Sequence, residues 1–121
     1  MTDSTADLPP ALAAARSITL VPLTLSLDGQ NLLDGVDITP AEFYRRLPGA
    51  TTHPTTSQPS PGRFAETYKS LLKDHGSIVS IHISEKLSGT LDSARQAAKM
   101  VDPERIRIID SEMASMSLGL L

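Results

Sequence analysis

Residues 77–100, SIVSIHISEKLSGTLDSARQAAKM, contain the pattern that decides the fold. Ile78–Ile83 is rich in β-branched residues and predicts a buried strand. From Thr90 onward, apolar residues recur with the spacing of one helical face, namely Leu91, Ala94, Ala97, Ala98 and Val101. We therefore predict a strand, a short polar loop and a helix in direct succession.

The polar loop between this strand and this helix is the first candidate binding site. Ser88 is expected to cap the helix, and Gly89 has no side chain to keep a ligand away from the backbone. Unpaired N–H groups and the positive end of the helix dipole favour an anion at such a position. The alternative is that Ser88 and Gly89 only cap the helix, as most such pairs do.

Composition limits the classes of function that fit the chain. Its 121 residues suffice for one modest domain, and the core must be aliphatic because the chain has two Phe, two Tyr and no Trp. A net charge of −3 argues against nucleic acid as a partner, and the absence of Cys excludes thiolate chemistry. No signal peptide and no apolar run of roughly 20 residues is present, so we expect a cytoplasmic protein without membrane insertion.

The remaining segments predict further helices and strands around this central unit. A polar cluster, Thr2–Thr5, opens the chain with no strand predicted ahead of it, and the Thr- and Pro-rich residues 50–62 have the composition of a linker. The other predicted elements are a helix at Leu8–Arg16 capped by Asp7, strands at Ile18–Val21 and Leu23–Leu27, a hairpin through Asp28-Gly29 returning at Asn31–Asp34, helices capped by Thr39 and Ser60, a strand at Arg105–Asp110 and an apolar helix beginning near Met113.

Hydroxyl groups dominate the candidate site loops, and no dinucleotide fingerprint, P-loop or nucleophile elbow accompanies them. Hydroxyls bind a carboxylate or phosphate well but catalyse poorly without a base, so we predict binding without catalysis, metal or cofactor. The alternative is a small α/β hydrolase or transferase with Ser88 as nucleophile, His82 as base and Asp110 as orienting acid.

Several motifs together resemble the DegV family in unbroken order: TDSTADLP, DGVDITPAEFY, PTTSQPSPGRF, SIHISEKLSGTLDSARQAA and IIDSEMASMSLGLL. The resemblance implies a bacterial, cytoplasmic protein that binds a long-chain fatty acid such as palmitate, stearate or oleate and presents it to a fatty acid kinase. It also implies that Thr56 and Ser88 hold the carboxylate. Around these two residues we expect the ligand-binding set Ser57, Gly89, Thr90, Ser4 and Ser111.

The expected fold is α/β, with a mainly parallel central sheet, flanking helices and a small β-hairpin. Residues 1–121 match the N-terminal domain of a two-domain DegV-like protein, and only Met1 precedes the TDS motif. We therefore expect the first strand and the C-terminal domain to be absent, and the exposed apolar ends to favour a dimer.

Overall fold

The computed structural model describes all 121 residues, as seven strands and five α-helices. Short 3-10 turns follow the first strand and the second helix. In chain order the elements are β1 (Thr2–Asp3), α1 (Pro10–Ala15), β2 (Leu20–Val21), β3 (Thr24–Leu27), β4 (Gln30–Leu33), α2 (Pro40–Arg46), β5 (Thr55–Ser57), α3 (Pro61–Leu71), β6 (Ile78–His82), α4 (Thr90–Val101), β7 (Ile106–Asp110) and α5 (Met116–Gly119).

The parallel part of the fold consists of two strand pairs that Met1 connects. β1 pairs with β2 and β6 pairs with β7, both in parallel. The amine of Met1 donates to the carbonyl of Val79 at 2.7 Å, and the carbonyl of Met1 accepts from the N–H of Ile81 at 3.0 Å. These bonds give the order β2-β1-β6-β7, which confirms the predicted α/β fold with a mainly parallel sheet. They also correct the expectation that the first strand is absent, because Thr2 and Asp3 of the polar cluster form β1.

A second, antiparallel sheet has the strand order β4-β3-β5. The predicted hairpin is confirmed: Leu27 pairs with Gln30 across Asp28-Gly29, whose positive φ values of 49° and 76° suit a tight hairpin turn. The linker interpretation of residues 50–62 is wrong, because β5 pairs with the free edge of β3. Its backbone hydrogen bonds to β3 order a segment whose composition alone indicates a loop.

The main core lies between the parallel sheet and the helices α3 and α4. Phe64 and Tyr68 of α3 are fully buried, and their rings stack at 5.9 Å between centroids. The predicted apolar face of α4 is confirmed, with Leu91, Ala94 and Ala97 fully buried. Because most of this face is alanine, α3 can approach α4 closely and bury its two aromatic rings.

The predicted helix caps are confirmed where a hydroxyl residue is followed by a proline. Thr39 accepts from the N–H of Glu42, and Ser60 accepts from the N–H of Arg63, each at 3.2 Å. Two other predictions are wrong: α1 starts at Pro10 without an Asp7 cap, and α5 is only four residues long. None of the helices combines the length and the apolar character that crossing a bilayer requires.

Replacing Phe64 with alanine should destabilise the fold far more than the same truncation at Val79, on the open face of β6. Phe64→Ala leaves a cavity in the main core and should lower the free energy of unfolding by about 3–5 kcal/mol. Val79 is 48% exposed, so Val79→Ala should change it by about 0.5 kcal/mol or less. Urea unfolding of both variants measures the difference, and equal losses would show that the core has been placed on the wrong face.

Candidate functional site

The loop between β6 and α4 is folded around a buried serine that the sequence analysis did not single out. The N–H of Ser84 donates to the carbonyl of Met113 at 3.0 Å, which ties this loop to the segment after β7. The Ser84 hydroxyl accepts from the N–H of Lys86, and its carbonyl accepts from the N–H groups of Leu87 and Ser88. Ser84 therefore sets the turn that brings Ser88 to the start of α4.

Ser88 was predicted to be the N-cap of α4, but it lies one position before the N-cap. The N-cap is Gly89, which has no side chain to cap with, and the Ser88 hydroxyl accepts from the first helical N–H, that of Thr90, at 3.2 Å. The hydroxyls of Ser88 and Thr90 are also 2.9 Å apart and share a hydrogen bond. A hydroxyl can take part in three hydrogen bonds, so Ser88 keeps one for a ligand. Thr90 is fully buried and serves mainly to hold Ser88.

Gly89 does not leave the backbone open as the sequence analysis expected. Its φ of −75° and ψ of 5° are available to any residue, so the glycine is not needed for its backbone angles. A Cβ atom at this position would instead lie 2.7 Å from Oε1 and 2.8 Å from Cδ of Gln58. Gln58 thus covers Gly89 and brings the segment after β5 against the start of α4.

Thr56 lies in β5, opposite Leu25, and its side chain is exposed. It lines a cavity of about 220 Å³ together with the apolar residues Leu25, Ile38 and Phe43. A second cavity of about 430 Å³ shares Asp7, Asp34 and Pro40 with the first. The two adjoining cavities form a partly apolar groove next to the threonine, and the larger lies within the range of roughly 300–1,000 Å³ typical of ligand pockets.

The other predicted hydroxyls divide into engaged and free groups. Ser4 accepts from the N–H of Leu23 at 3.1 Å, although it also lines the larger cavity. Ser111 is buried and bonds with the backbone of Met113, so it holds its own loop. Ser57 is exposed on β5 opposite Thr24. Of the predicted set, Thr56, Ser57 and Ser88 retain hydroxyl groups with hydrogen-bonding capacity for a ligand, and Ser4 keeps its donor hydrogen beside the larger cavity.

The residues of the alternative hydrolase do not assemble. Both ring nitrogens of the fully buried His82 are engaged, Nδ1 with Asp3 Oδ2 at 2.8 Å and Nε2 with Ser80 Oγ at 2.6 Å. Asp110 accepts instead from the backbone N–H groups of Glu85 and Glu112. Ser88 therefore has neither His82 as a base nor Asp110 behind it.

His82 belongs instead to a buried chain of hydrogen bonds. It runs from Tyr68 through Ser80 and His82 to Asp3, and no local sequence pattern indicates it. Burial raises the pKa of Asp3, but hydrogen bonds from His82, from Thr5 and from the N–H of Ile83 outweigh it, so the pKa lies below its usual value. Burial raises the pKa of Tyr68 to about 12. Ser80 is fully buried, so this Asp-His-Ser order has no access to substrate.

In this chain of hydrogen bonds, one assignment of donors and acceptors satisfies every contact. With Asp3 ionised and His82 neutral, Nδ1–H donates to Asp3, Ser80 donates to Nε2 and Tyr68 donates to Ser80. Three hydrogens then fill three contacts.

Comparisons with known proteins agree with the motifs. A family model, described as an uncharacterised protein of the DegV family, matches residues 1–121. A DegV domain-containing protein of Caldanaerobacter subterraneus is 42% identical over 121 residues, all of this chain and 43% of its own length. The chain thus spans less than half the length of that relative.

Solved structures show the same similarity. A DegV family protein from Thermus thermophilus that binds fatty acid has a TM-score of 0.89 and 42% identity, over 98% of this chain and 42% of its own. A stearic-acid-binding protein from Eubacterium ventriosum has a TM-score of 0.89 and 32% identity, over 98% of this chain and 43% of its own.

Ser80→Ala should destabilise the protein more than Tyr68→Phe. Ser80→Ala leaves both the Tyr68 hydroxyl and His82 Nε2 buried without a partner, at about 1–3 kcal/mol each. Tyr68→Phe removes one donor and leaves the Ser80–His82 bond in place, so it should cost about 0.5–1.5 kcal/mol. Urea unfolding at pH 7 measures both, and the reverse order would contradict the central position of Ser80 in the chain.

Proposed function

This chain belongs to the DegV family, and on that premise we propose that it binds the carboxylate of a long-chain fatty acid with the hydroxyls of Thr56 and Ser88. The observation that supports this most directly is the contact of Gln58 with Gly89, which brings the TTSQ and LSGT segments together. The groove lined by Thr56 offers apolar surface beside this threonine. The relatives from Thermus thermophilus and Eubacterium ventriosum bind fatty and stearic acid.

The energetics divide the ligand into a head that sets position and a tail that supplies affinity. Hydrogen bonds to a charged group contribute roughly 1.5–3 kcal/mol each, so two hydroxyls hold a carboxylate only weakly. A buried acyl chain contributes about 0.8 kcal/mol per CH₂ group. Since the chain spans 43% of its curated relative, we propose that the rest of such a protein encloses much of the tail.

We further propose that the chain presents the carboxylate to a fatty acid kinase in the cytoplasm and does not catalyse the reaction itself. Thr56 is exposed and Ser88 half-buried, so a head group held between them would stay within reach of a partner enzyme. The one histidine of the central strand is fully engaged by Asp3 and Ser80 and offers no base to either hydroxyl. Binding followed by transfer to a second protein suits this chemistry better than bond cleavage.

Ser88→Ala should weaken palmitate binding roughly ten- to a hundredfold, because one hydrogen bond to a charged group is lost. Ser70→Ala, on the exposed surface of α3, is the matched control and should bind as the wild type does. Calorimetric titration measures the affinities. Thermal melts are needed alongside, since Ser88 also holds the first N–H of α4, a contribution of about 1 kcal/mol. Equal affinities of the two variants would remove Ser88 from the site.

We also propose that the chain self-associates through apolar residues near its C-terminal end. Met113, Met116, Leu120 and Leu121 are between 41% and 80% exposed, whereas Leu118, expected to be exposed with them, is buried. Size-exclusion chromatography over a concentration series should show a dimer. Leu120→Ser combined with Leu121→Ser should shift it to the monomer, while Met100→Ser, at an exposed position on α4, should not. A wild-type monomer at every concentration would contradict this proposal.

A further inference from the structure

We propose that Gln58 is a third polar ligand of the bound carboxylate, and that the missing Cβ of Gly89 leaves the space in which the Gln58 amide group lies beside Ser88. This inference rests on the proposed function and adds to it a residue that the motif comparison did not assign. From the TTSQ motif, only Thr56 and Ser57 were expected to bind the ligand. Gly89 was expected either to admit a ligand to the backbone or only to cap the helix.

The first step is the reason for the glycine. Gly89 has ordinary backbone angles, so any residue could adopt its conformation. A Cβ there would nevertheless lie within 2.8 Å of three atoms of the Gln58 amide group. By contrast, a Cβ at Gly49 or Gly76 would meet nothing within 4 Å. A side chain at position 89 would therefore displace the Gln58 amide group, which is the end of a flexible and exposed side chain.

The second step is the state of the amide group. Its nitrogen and oxygen lie nearer the Cβ position of Gly89 than its carbon does, so the polar edge of the amide is turned toward the glycine and the start of α4. Gly89 has no polar side chain, and no side-chain hydrogen bond in the structure involves Gln58. Both N–H donors of the amide are thus free, and amide donors suit a carboxylate acceptor.

The third step is the direction of the side chain. Gln58 directly follows β5, two positions after Thr56, and alternate residues of an extended segment face the same side. Pro59 favours an extended backbone at Gln58, because the residue before a proline is driven out of the helical region. Thr56 and Gln58 therefore share a side of the segment, and Gln58 reaches the residue next to Ser88.

A ligand-free experiment tests the contact independently of any function. Thermal unfolding of the wild type, Gly89→Ala, Gln58→Ala and the double variant forms a double-mutant cycle. Gly89→Ala should lower the melting temperature when Gln58 is present and lower it much less in the Gln58→Ala background. Gly49→Ala, where a Cβ meets open space, is the control and should show no such dependence on Gln58. An equal loss from Gly89→Ala in both backgrounds would overturn the spatial half of the inference.

A binding experiment tests the ligand role, using palmitate and its uncharged methyl ester as probes. Gln58→Ala should weaken palmitate binding roughly tenfold and leave ester binding within about twofold, because only the carboxylate gains a charge-assisted bond. Gln58→Glu should weaken palmitate binding further through repulsion, and Gln96→Ala on the surface of α4 should change neither affinity.

The outcomes separate the two proposals. Wild-type palmitate affinity in Gln58→Ala, or equal losses for palmitate and ester, would overturn the role of Gln58 while leaving fatty-acid binding intact. Failure of the wild type to bind palmitate at all would overturn the proposed function and with it the ligand role. The unfolding cycle would still decide whether Gly89 is kept free for Gln58.

Discussion

The buried carboxylate of Asp3 is the group on which the geometry of the candidate site depends. One oxygen accepts from Nδ1 of His82 and from the N–H of Ile83, and the other accepts from the N–H and hydroxyl of Thr5. A buried charge is tolerated only when such donors surround it. Asp3 thereby fixes the end of β6 relative to the end of β1, and the loop that contains Ser88 starts from that fixed point.

Several elements of this structure could be predicted from the sequence because each depends on residues that are close together in the chain. The strand at 78–82, the alanine face of α4, the Asp28-Gly29 turn and the caps Thr39 and Ser60 all depend on residues within a few positions of one another. Periodicity and turn chemistry report such relations directly. The pairing of β5 with β3 is different, since it depends on a free strand edge elsewhere in the fold and overrides the composition of a loop.

The candidate site likewise combines features that the local sequence predicts with features that depend on distant residues. Hydroxyl-rich loops could be recognised from the residues, and Ser88 was indicated by its place at a helix start. The loops contain more hydroxyls than one site needs, and only the family resemblance selected Thr56. The structure explains the surplus: Ser4 and Ser84 form hydrogen bonds that shape the backbone of the site. Gln58 escaped notice because a lone glutamine has no distinctive spacing, and its contact with Gly89 joins segments 31 positions apart in the chain.

The bond between Asp3 and His82 also bears on the order in which the protein acquires its shape. Its two residues are 79 positions apart, so a long loop must close before the bond can form. The hairpin β3–β4 and the helices need no such closure and can form early. During synthesis, the carboxylate of Asp3 must wait for β6 to emerge before it gains its principal donor. The candidate site around Ser88 is thus assembled late, after the hairpin and the helices have formed.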